Sequence, residues 1–191
     1  MRDAAKEWDE RYREGRDMPD EPSALLVENQ ALLPAGGRAL DLGMGSGRNA
    51  LYLAARGFRV TGVDVSSVAV ALCQEKAARL GLAMEAVVAD LEDYRLPKDE
   101  YDLILDFHYL QRKLAGPIVQ ALRRGGLLFF ETFTIEQLQF DYGPREPEFL
   151  LSPGELREMF AELETLFYFE GVIGGDRGPK AVAQLIGRKK P

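Results

Sequence analysis

Four acidic residues, Asp41, Asp64, Asp90 and Asp106, stand at or just past the ends of four short apolar runs, Ala39–Leu42, Arg59–Val63, Met84–Ala89 and Tyr101–Leu105. Gathered in one crevice, such carboxylates repel phosphate, whose sites use backbone N–H groups and a helix N-terminus with no anion nearby. They suit a ligand that offers hydrogen-bond donors and positive charge. Between the first two acids lies Gly43-Met44-Gly45-Ser46-Gly47. Its glycines let the chain turn tightly and let a ligand touch the backbone. A helix pattern follows from Asn49 to Arg56, closed by Gly57, and its N-terminus suits an anionic group at the ligand's other end.

Residues able to do more than bind are few. His108 is the only histidine. It reads either as a general base just past the fourth strand or as an imidazole satisfied by hydrogen bonds in a pocket wall. Arg112 reads either as the holder of an anionic substrate or as a solvated helix charge. Tyr109 and the segment Glu131 to Arg145 belong to the same, acceptor-facing side. Cys73 reads as a small core residue with no activating base beside it. One His and one Cys make no metal-ligand cluster, so no metal is expected.

The elements that position these residues alternate. After a charged helix from Asp3 to Glu14 and a short helix through Ala24–Val27 come the run Ala39–Leu42, the helix Asn49–Arg56, a strand Arg59–Val63, a helix Ser67–Leu80 between Ser66 and Gly81, and a strand Met84–Ala89. A strand Tyr101–Leu105, a helix Leu110–Leu122 and a strand Leu127–Phe130 continue the pattern. Strands alternating with helices mean βαβ units and a parallel sheet. Thr132 to Leu151 reads as a long functional or mobile segment. Ser152-Pro153-Gly154-Glu155 reads as a helix start, with Ser as cap and Pro at the first position. The strands Thr165–Glu170 and Ala181–Ile186 read as a hairpin across Gly174-Gly175-Asp176-Arg177-Gly178. The organisation expected is one α/β domain over 1–191: an N-terminal helical cap (1–34), a ligand-binding core (38–133), an acceptor-side loop (132–152) and a C-terminal helix and hairpin (152–191).

Composition narrows the function. The formal net charge is -7, whereas a nucleic-acid binder needs clustered cations to replace phosphate counterions. A small-molecule partner is expected instead, with neither nucleic acid nor membrane, in a monomer or homodimer. A single cysteine, a charged N-terminus and no apolar run of membrane-spanning length lead to the expectation of a cytoplasmic protein.

S-adenosylmethionine (AdoMet) offers a sulfonium, an ammonium, two ribose hydroxyls and an adenine amino group, which matches the ligand just described. The motifs agree. Leu40-Asp41-Leu42-Gly43-Met44-Gly45-Ser46-Gly47-Arg48-Asn49 resembles the first motif of class I AdoMet-dependent methyltransferases. Val60-Thr61-Gly62-Val63-Asp64-Val65-Ser66 resembles their second strand, and Val87-Val88-Ala89-Asp90-Leu91 the segment that reads adenine. Tyr101–Asp106 resembles the fourth strand, and Leu122–Leu128 the turn into the fifth. The resemblance implies a doubly wound, mostly parallel seven-stranded α/β sheet with an antiparallel C-terminal hairpin, and AdoMet as cofactor. It implies a cofactor site of Asp41, Gly43, Met44, Gly45, Asn49, Asp64, Val65, Asp90, Leu91 and Asp106, with Asp64 on the ribose hydroxyls, Asp90 on the adenine amino group and Leu91 offering its backbone N–H. A closer resemblance, to small bacterial tellurite-resistance-type enzymes, rests on Trp8-Asp9-Glu10-Arg11-Tyr12, which is similar to a segment that covers the cofactor. It adds Tyr12 to the site. Two departures stand out. Met44 replaces a more usual Cys. The C-terminal region lacks the His-Arg pair of tellurite-resistance enzymes, since Arg177 follows Asp176, which argues against tellurite as substrate.

Two other readings compete. Gly45-Ser46-Gly47-Arg48-Asn49-Ala50 matches the G-x-G-x-x-A of NAD(P)-dependent oxidoreductases, and Tyr94–Lys98 and Tyr109–Lys113 match Tyr-x-x-x-Lys. Asp41 would then crowd the diphosphate. A non-catalytic AdoMet- or nucleoside-binding module would carry the same four acids and differ only on the acceptor side.

Overall fold

The computed structural model describes residues 2–16, 19–175 and 178–190, with the side chains of residues 2 and 3 left aside. Asp176 and Arg177 of the hairpin turn lie outside the described residues. The strands are β1 (Gly37–Leu42), β2 (Phe58–Asp64), β3 (Glu85–Val88), β4 (Tyr101–Phe107), β5 (Leu122–Phe133), β6 (Glu164–Ile173) and β7 (Lys180–Arg188). They form one seven-stranded sheet in the order β3-β2-β1-β4-β5-β7-β6. The pairs β3-β2, β2-β1, β1-β4 and β4-β5 are parallel, and β7 runs antiparallel to both its neighbours. Strand order reverses between β1 and β4, and ligands of open α/β sheets bind outside the strand C-termini at such a switch point.

Both faces of the sheet are covered, so its central strands are apolar on both sides. On one face Ala39, Leu103, Leu105, Leu127 and Phe129 pack with Leu25 and Leu26 of α2 (Ala24–Glu28) and with Ala50 and Leu53 of α3 (Arg48–Ala54). The long helix α4 (Ser67–Leu80) presents Val70, Cys73 and Ala77 to Met44 and Leu51. On the other face Leu40, Leu42, Ile104, Leu128 and Phe130 pack with Ile118 and Val119 of α5 (Ala115–Ala121) and Leu156 of α6 (Glu155–Met159). Phe129 and Phe130 point to opposite faces and are both fully buried. Each contributes about 1.5–3 kcal/mol of hydrophobic stabilisation.

Helix α4 begins and ends where the sequence says. The Ser66 hydroxyl accepts from the Ala69 N–H, and Gly81 closes the helix at φ 66. Three expectations change. The helix expected over Leu110–Leu122 is only α5, preceded by a 3-10 turn at Arg112–Leu114. Pro117 has no N–H to give Lys113, and its ring opposes that carbonyl, so an α-helical ladder cannot run through. The helix α6 starts after Gly154 rather than at Pro153, because Gly154 adopts φ 78. Glu155 still reaches back to the Ser152 N–H at 2.8 Å. Finally, the segment 132–151 is not a plain loop. It holds 3-10 turns at Ile135–Gln139 and Pro147–Phe149 and is closed by a bridge between Thr134 and Leu151. Gln137, fully buried, pins it by donating to the Tyr142 carbonyl and accepting from the Ala181 N–H.

Candidate functional site

The glycine loop leaves β1 at the switch point. Gly43, Gly45 and Gly47 have φ of 63, 57 and 87°, the left-handed region that side chains avoid. Neighbours press on each. A Cβ on Gly43 would come to 3.0 Å of Tyr109 Cβ, one on Gly45 would overlap the Tyr12 hydroxyl, and one on Gly47 the Cys73 sulfur. Met44 offers its backbone to the loop and donates its N–H to the Val63 carbonyl. Its side chain turns away and fills the space over Gly62, where a Cβ would overlap its sulfur. Cys73 is buried, and desolvation pushes its thiol up to about 11.

The structure brings three of the four acids to the C-terminal edge of β1, β2 and β4 and puts Asp90 in the turn just after β3. Asp64 is the best satisfied. Its carboxylate accepts from the N–H groups of Gly45 and Ser66, both at 2.8 Å. Burial nevertheless raises its pKa. Asp41 is 2% exposed and Asp106 1%. Each holds one carboxylate oxygen, Oδ2 and Oδ1 respectively, with no hydrogen-bond partner. Desolvation pushes Asp41 up to about 7, against the pull of Arg48. Desolvation, joined by Asp41, raises Asp106 well above the carboxylate range. Buried unpaired acceptors are costly, and native interiors keep few of them. Two of them flanking one switch point mark a place built for donors or a cation.

Other expected residues sort by what they touch. Asp90 accepts from the Glu92 N–H at 2.9 Å, which shapes the turn after β3, and Leu91 beside it is buried. Val65 is half-buried in the bend between β2 and α4. Asn49 takes a different task from the one expected. Its Oδ1 accepts from the Ser23 N–H at 2.8 Å and so ties the N-terminal segment to α3. Arg112 is also redirected. Its guanidinium meets Glu155 at 2.5 and 3.1 Å and the carbonyls of Glu148 and Leu150 at 2.7 and 2.8 Å. It clamps the acceptor-side segment to α6. Neither Tyr-x-x-x-Lys motif lies on an α-helix. Tyr94 sits in a turn, and Tyr109 precedes the 3-10 turn.

The N-terminal helix α1 (Arg2–Arg13) lies across this edge. Asp9 accepts from the hydroxyls of Ser66 and Ser67 at 2.6 and 3.1 Å and from the Val68 N–H at 3.2 Å, so it caps α4 from outside. This brings Tyr12 over Gly45. Sequence reading missed Asp9, because a charge on a surface helix gives no hint of its partner. It also passed over the carboxylate of Glu131. That residue ends the apolar run of β5 as the acids end β2 and β4, and this was a usable signal. Glu131 is 2% exposed and takes Lys180 at 2.7 Å, Gln184 at 2.6 Å and His108 Nε2 at 3.3 Å.

Comparison with known proteins points to methyltransferases. A family model described as a methyltransferase domain matches residues 39–126. The match runs from β1 into β5, a little under half of the chain. A relative from Eikenella corrodens named hemagglutinin 1 is 34% identical over 158 residues, covering 78% of this chain and 51% of that protein. The probable AdoMet-dependent methyltransferase TehB of Haemophilus influenzae is 26% identical over 165 residues, covering 80% of this chain and 57% of that protein. The chain thus spans about half the length of the curated relatives it matches. The crystal structure of TehB superposes with a TM-score of 0.74 at 21% identity, over 96% of this chain and 67% of that one. The methyltransferase fold, with its single antiparallel strand, is therefore shared. The cofactor of this methyltransferase family is AdoMet. No helix among the described residues is long and apolar enough to cross a membrane.

Proposed function

We propose that this protein transfers the AdoMet methyl group to a small-molecule acceptor. The observation that carries the reading is the pair of buried, unpartnered carboxylate oxygens of Asp41 and Asp106 beside the three-glycine loop. When bound, AdoMet supplies an electrophilic methyl on a sulfonium sulfur. Asp41 and the glycine-loop backbone face its amino-acid end, Asp64 accepts from the ribose hydroxyls, and Asp90 and the Leu91 N–H read the adenine. Val65 and Tyr12 close the sides. Asp64 retains lone pairs for this beyond the two N–H groups it already accepts. Met44 supplies backbone only, and Asn49 supports the loop from behind. The protein's main contribution to rate is orientation, worth up to about 7–11 kcal/mol in well-positioned reactions.

The acceptor side is built by His108, Phe133 and the segment after β5. His108 stacks on Phe133 with centroids 4.9 Å apart. Its backbone sits at φ 66, a conformation rare outside glycine that clusters at functional sites. We assign His108 as the proton acceptor of the site. The net charge of -7 favours a small acceptor over a polyanion.

Calorimetric titration with AdoMet and its demethylated product, with NADH as control, tests the reading. Micromolar binding of the first two and none of NADH is expected. Preference for NADH would sink it. A screen of thiols, carboxylic acids, phenols and metalloid oxyanions with labelled AdoMet then separates an enzyme from a module that only binds. Turnover of none of them, with AdoMet bound, would favour the module.

A further inference from the structure

Behind His108 lies a charged cluster that binding of the cofactor does not use. The end of β4 and the end of β5 are joined there. The His108 N–H donates to the Glu131 carbonyl at 2.7 Å, and Phe107 pairs with Glu131 in the ladder. On the other side Glu131 faces Gln184 in the antiparallel register of β7. The Glu131 carboxylate is 2% exposed yet has three partners. Lys180 Nζ donates to Oε1 at 2.7 Å, Gln184 Nε2 donates to Oε2 at 2.6 Å, and His108 Nε2 stands 3.3 Å from Oε1.

We propose that Glu131, Lys180 and Gln184 are positioning residues that hold His108 as a neutral imidazole with its proton on Nε2 and its lone pair on Nδ1. This rests on the methyl-transfer reading above and extends it. A lone pair on Nε2 would face a carboxylate oxygen, whereas an N–H there is attracted to it, so the proton goes to Nε2. An unaccompanied carboxylate at that distance would also draw a second proton onto the ring. Lys180 prevents this by neutralising Glu131, and Gln184 fixes the carboxylate's orientation without adding charge. Among the described residues, Arg48, from α3, is the other cation that acts on the ring. Desolvation, with Lys180 and Arg48, outweighs the pull of Glu131 and lowers the ring to about 4. The imidazole keeps 26% of its side-chain surface open, so it is reachable from the acceptor side. Burial works to raise Glu131, but His108, Lys180 and Gln184 outweigh it and keep it charged.

Such a ring selects a substrate class. It serves an acceptor whose nucleophile arrives protonated, a thiol or a phenol. The acceptor's S–H or O–H proton passes to Nδ1. The pair it leaves on the heteroatom makes the new bond to the methyl carbon, and the C–S pair returns to sulfur. One positive charge disappears at sulfur and one appears on the imidazole. An oxyanion that is already ionised has no use for the arrangement.

His108 is the only histidine in the chain, so its ring nitrogens give the only imidazole signals in a nitrogen NMR spectrum of histidine-labelled protein. The full chain is titrated without cofactor. Expected are an Nε2–H tautomer at pH 7 and a ring that titrates below pH 5. Lys180→Met leaves Glu131 uncompensated and should raise the ring's pKa by about 1–3 units, while Lys180→Arg restores the starting value. AdoMet affinity by calorimetry should stay within about twofold in both variants, since neither touches the cofactor edge. An Nδ1–H tautomer, or a ring pKa that ignores Lys180→Met, overturns the proposal while leaving the AdoMet reading intact. Failure of AdoMet to bind, with the ring signature as expected, overturns the functional reading alone. On an acceptor that turns over, the acid limb of kcat/KM should follow the ring's pKa in both variants. A flat profile overturns the base role.

Discussion

Folding leaves the Asp41 carboxyl far easier to protonate than in water, because burial removes the solvent that would stabilise its charge. Its folded pKa of about 7 exceeds the ordinary value, so the folded chain binds the extra proton between about pH 4 and pH 7. Asp41 therefore favours the folded state at low pH, and this contribution is lost as pH rises through 7. A ligand that brings a cation to its unpaired oxygen reverses the trend by drawing the carboxyl back down. Binding of AdoMet near pH 6 should then release up to about one proton from Asp41, fading above pH 8. Calorimetry in buffers of different ionisation enthalpy reads this directly. In Asp41→Asn the release should shrink to what Asp106 supplies, and affinity should fall. A binding enthalpy that is independent of buffer at pH 6 would remove Asp41 from the site. Asp64→Ala is the poorer test, since it also breaks the hydrogen bonds to Gly45 and Ser66.

At the scale of elements, two contacts decide how the site edge is held. Met44 fills the space over Gly62, and a Cβ there would overlap its sulfur. Gly62→Ala should destabilise the fold by about 1–3 kcal/mol, the usual cost of overpacking. Adding Met44→Ala should recover part of it, because the clash is removed although a hydrophobic contact is lost. Denaturant melts of the two variants settle this, and a double variant no better than the sum of its singles would show that the two residues do not couple. Arg112 holds Glu148, Leu150 and Glu155 together. With its side chain 40% exposed, solvent screening limits its contribution to about 1–2 kcal/mol. Arg112→Met should therefore leave global stability nearly intact yet speed hydrogen exchange over residues 146–151. Unchanged exchange there would mean the 3-10 turns hold without the clamp.

These elements also show how far the sequence can be read. The order of strands and helices is legible, because apolar runs of strand length alternate with helical periodicity and glycine stops. The glycine loop and its acids are legible for the same reason, since a charged residue ending an apolar run has few structural excuses. The roles of Arg112 and Asn49 are not. Each is satisfied by backbone atoms 26 to 38 positions away, and local pattern carries no information about partners that distant. Glu131 stands between these cases. Its position at a strand end was visible, but Lys180 and Gln184 reach it only once β7 inserts between β5 and β6. Pro117 was visible too, and its effect on the helix before it follows from its missing N–H alone.

For the whole molecule, stability and function meet at one edge of the sheet. The C-terminal edge carries two buried carboxylate oxygens without partners, three glycines in left-handed conformations and a histidine at φ 66. Features of this kind cost stability and persist because the surrounding core holds them. A ligand that supplies donors and charge to that edge binds the folded chain and not the unfolded one. At a hundredfold excess over its dissociation constant it should stabilise the fold by about 2.7 kcal/mol. For a chain of this length each kcal/mol raises the melting temperature by about 2–4 °C, so AdoMet should raise it by about 5–11 °C. NADH, an anion offered to a carboxylate-lined crevice in a chain of charge -7, should leave it unchanged. The protection should also be uneven. Hydrogen exchange should slow in the glycine loop, at the ends of β1 and β4 and in the first turn of α4, where Asp9 ties α1 down, and hardly at the opposite edge around Asp102 and Gly125. Uniform slowing would indicate only the global gain. Slowing confined to the opposite edge would place the ligand elsewhere and undo the assignment of the switch point.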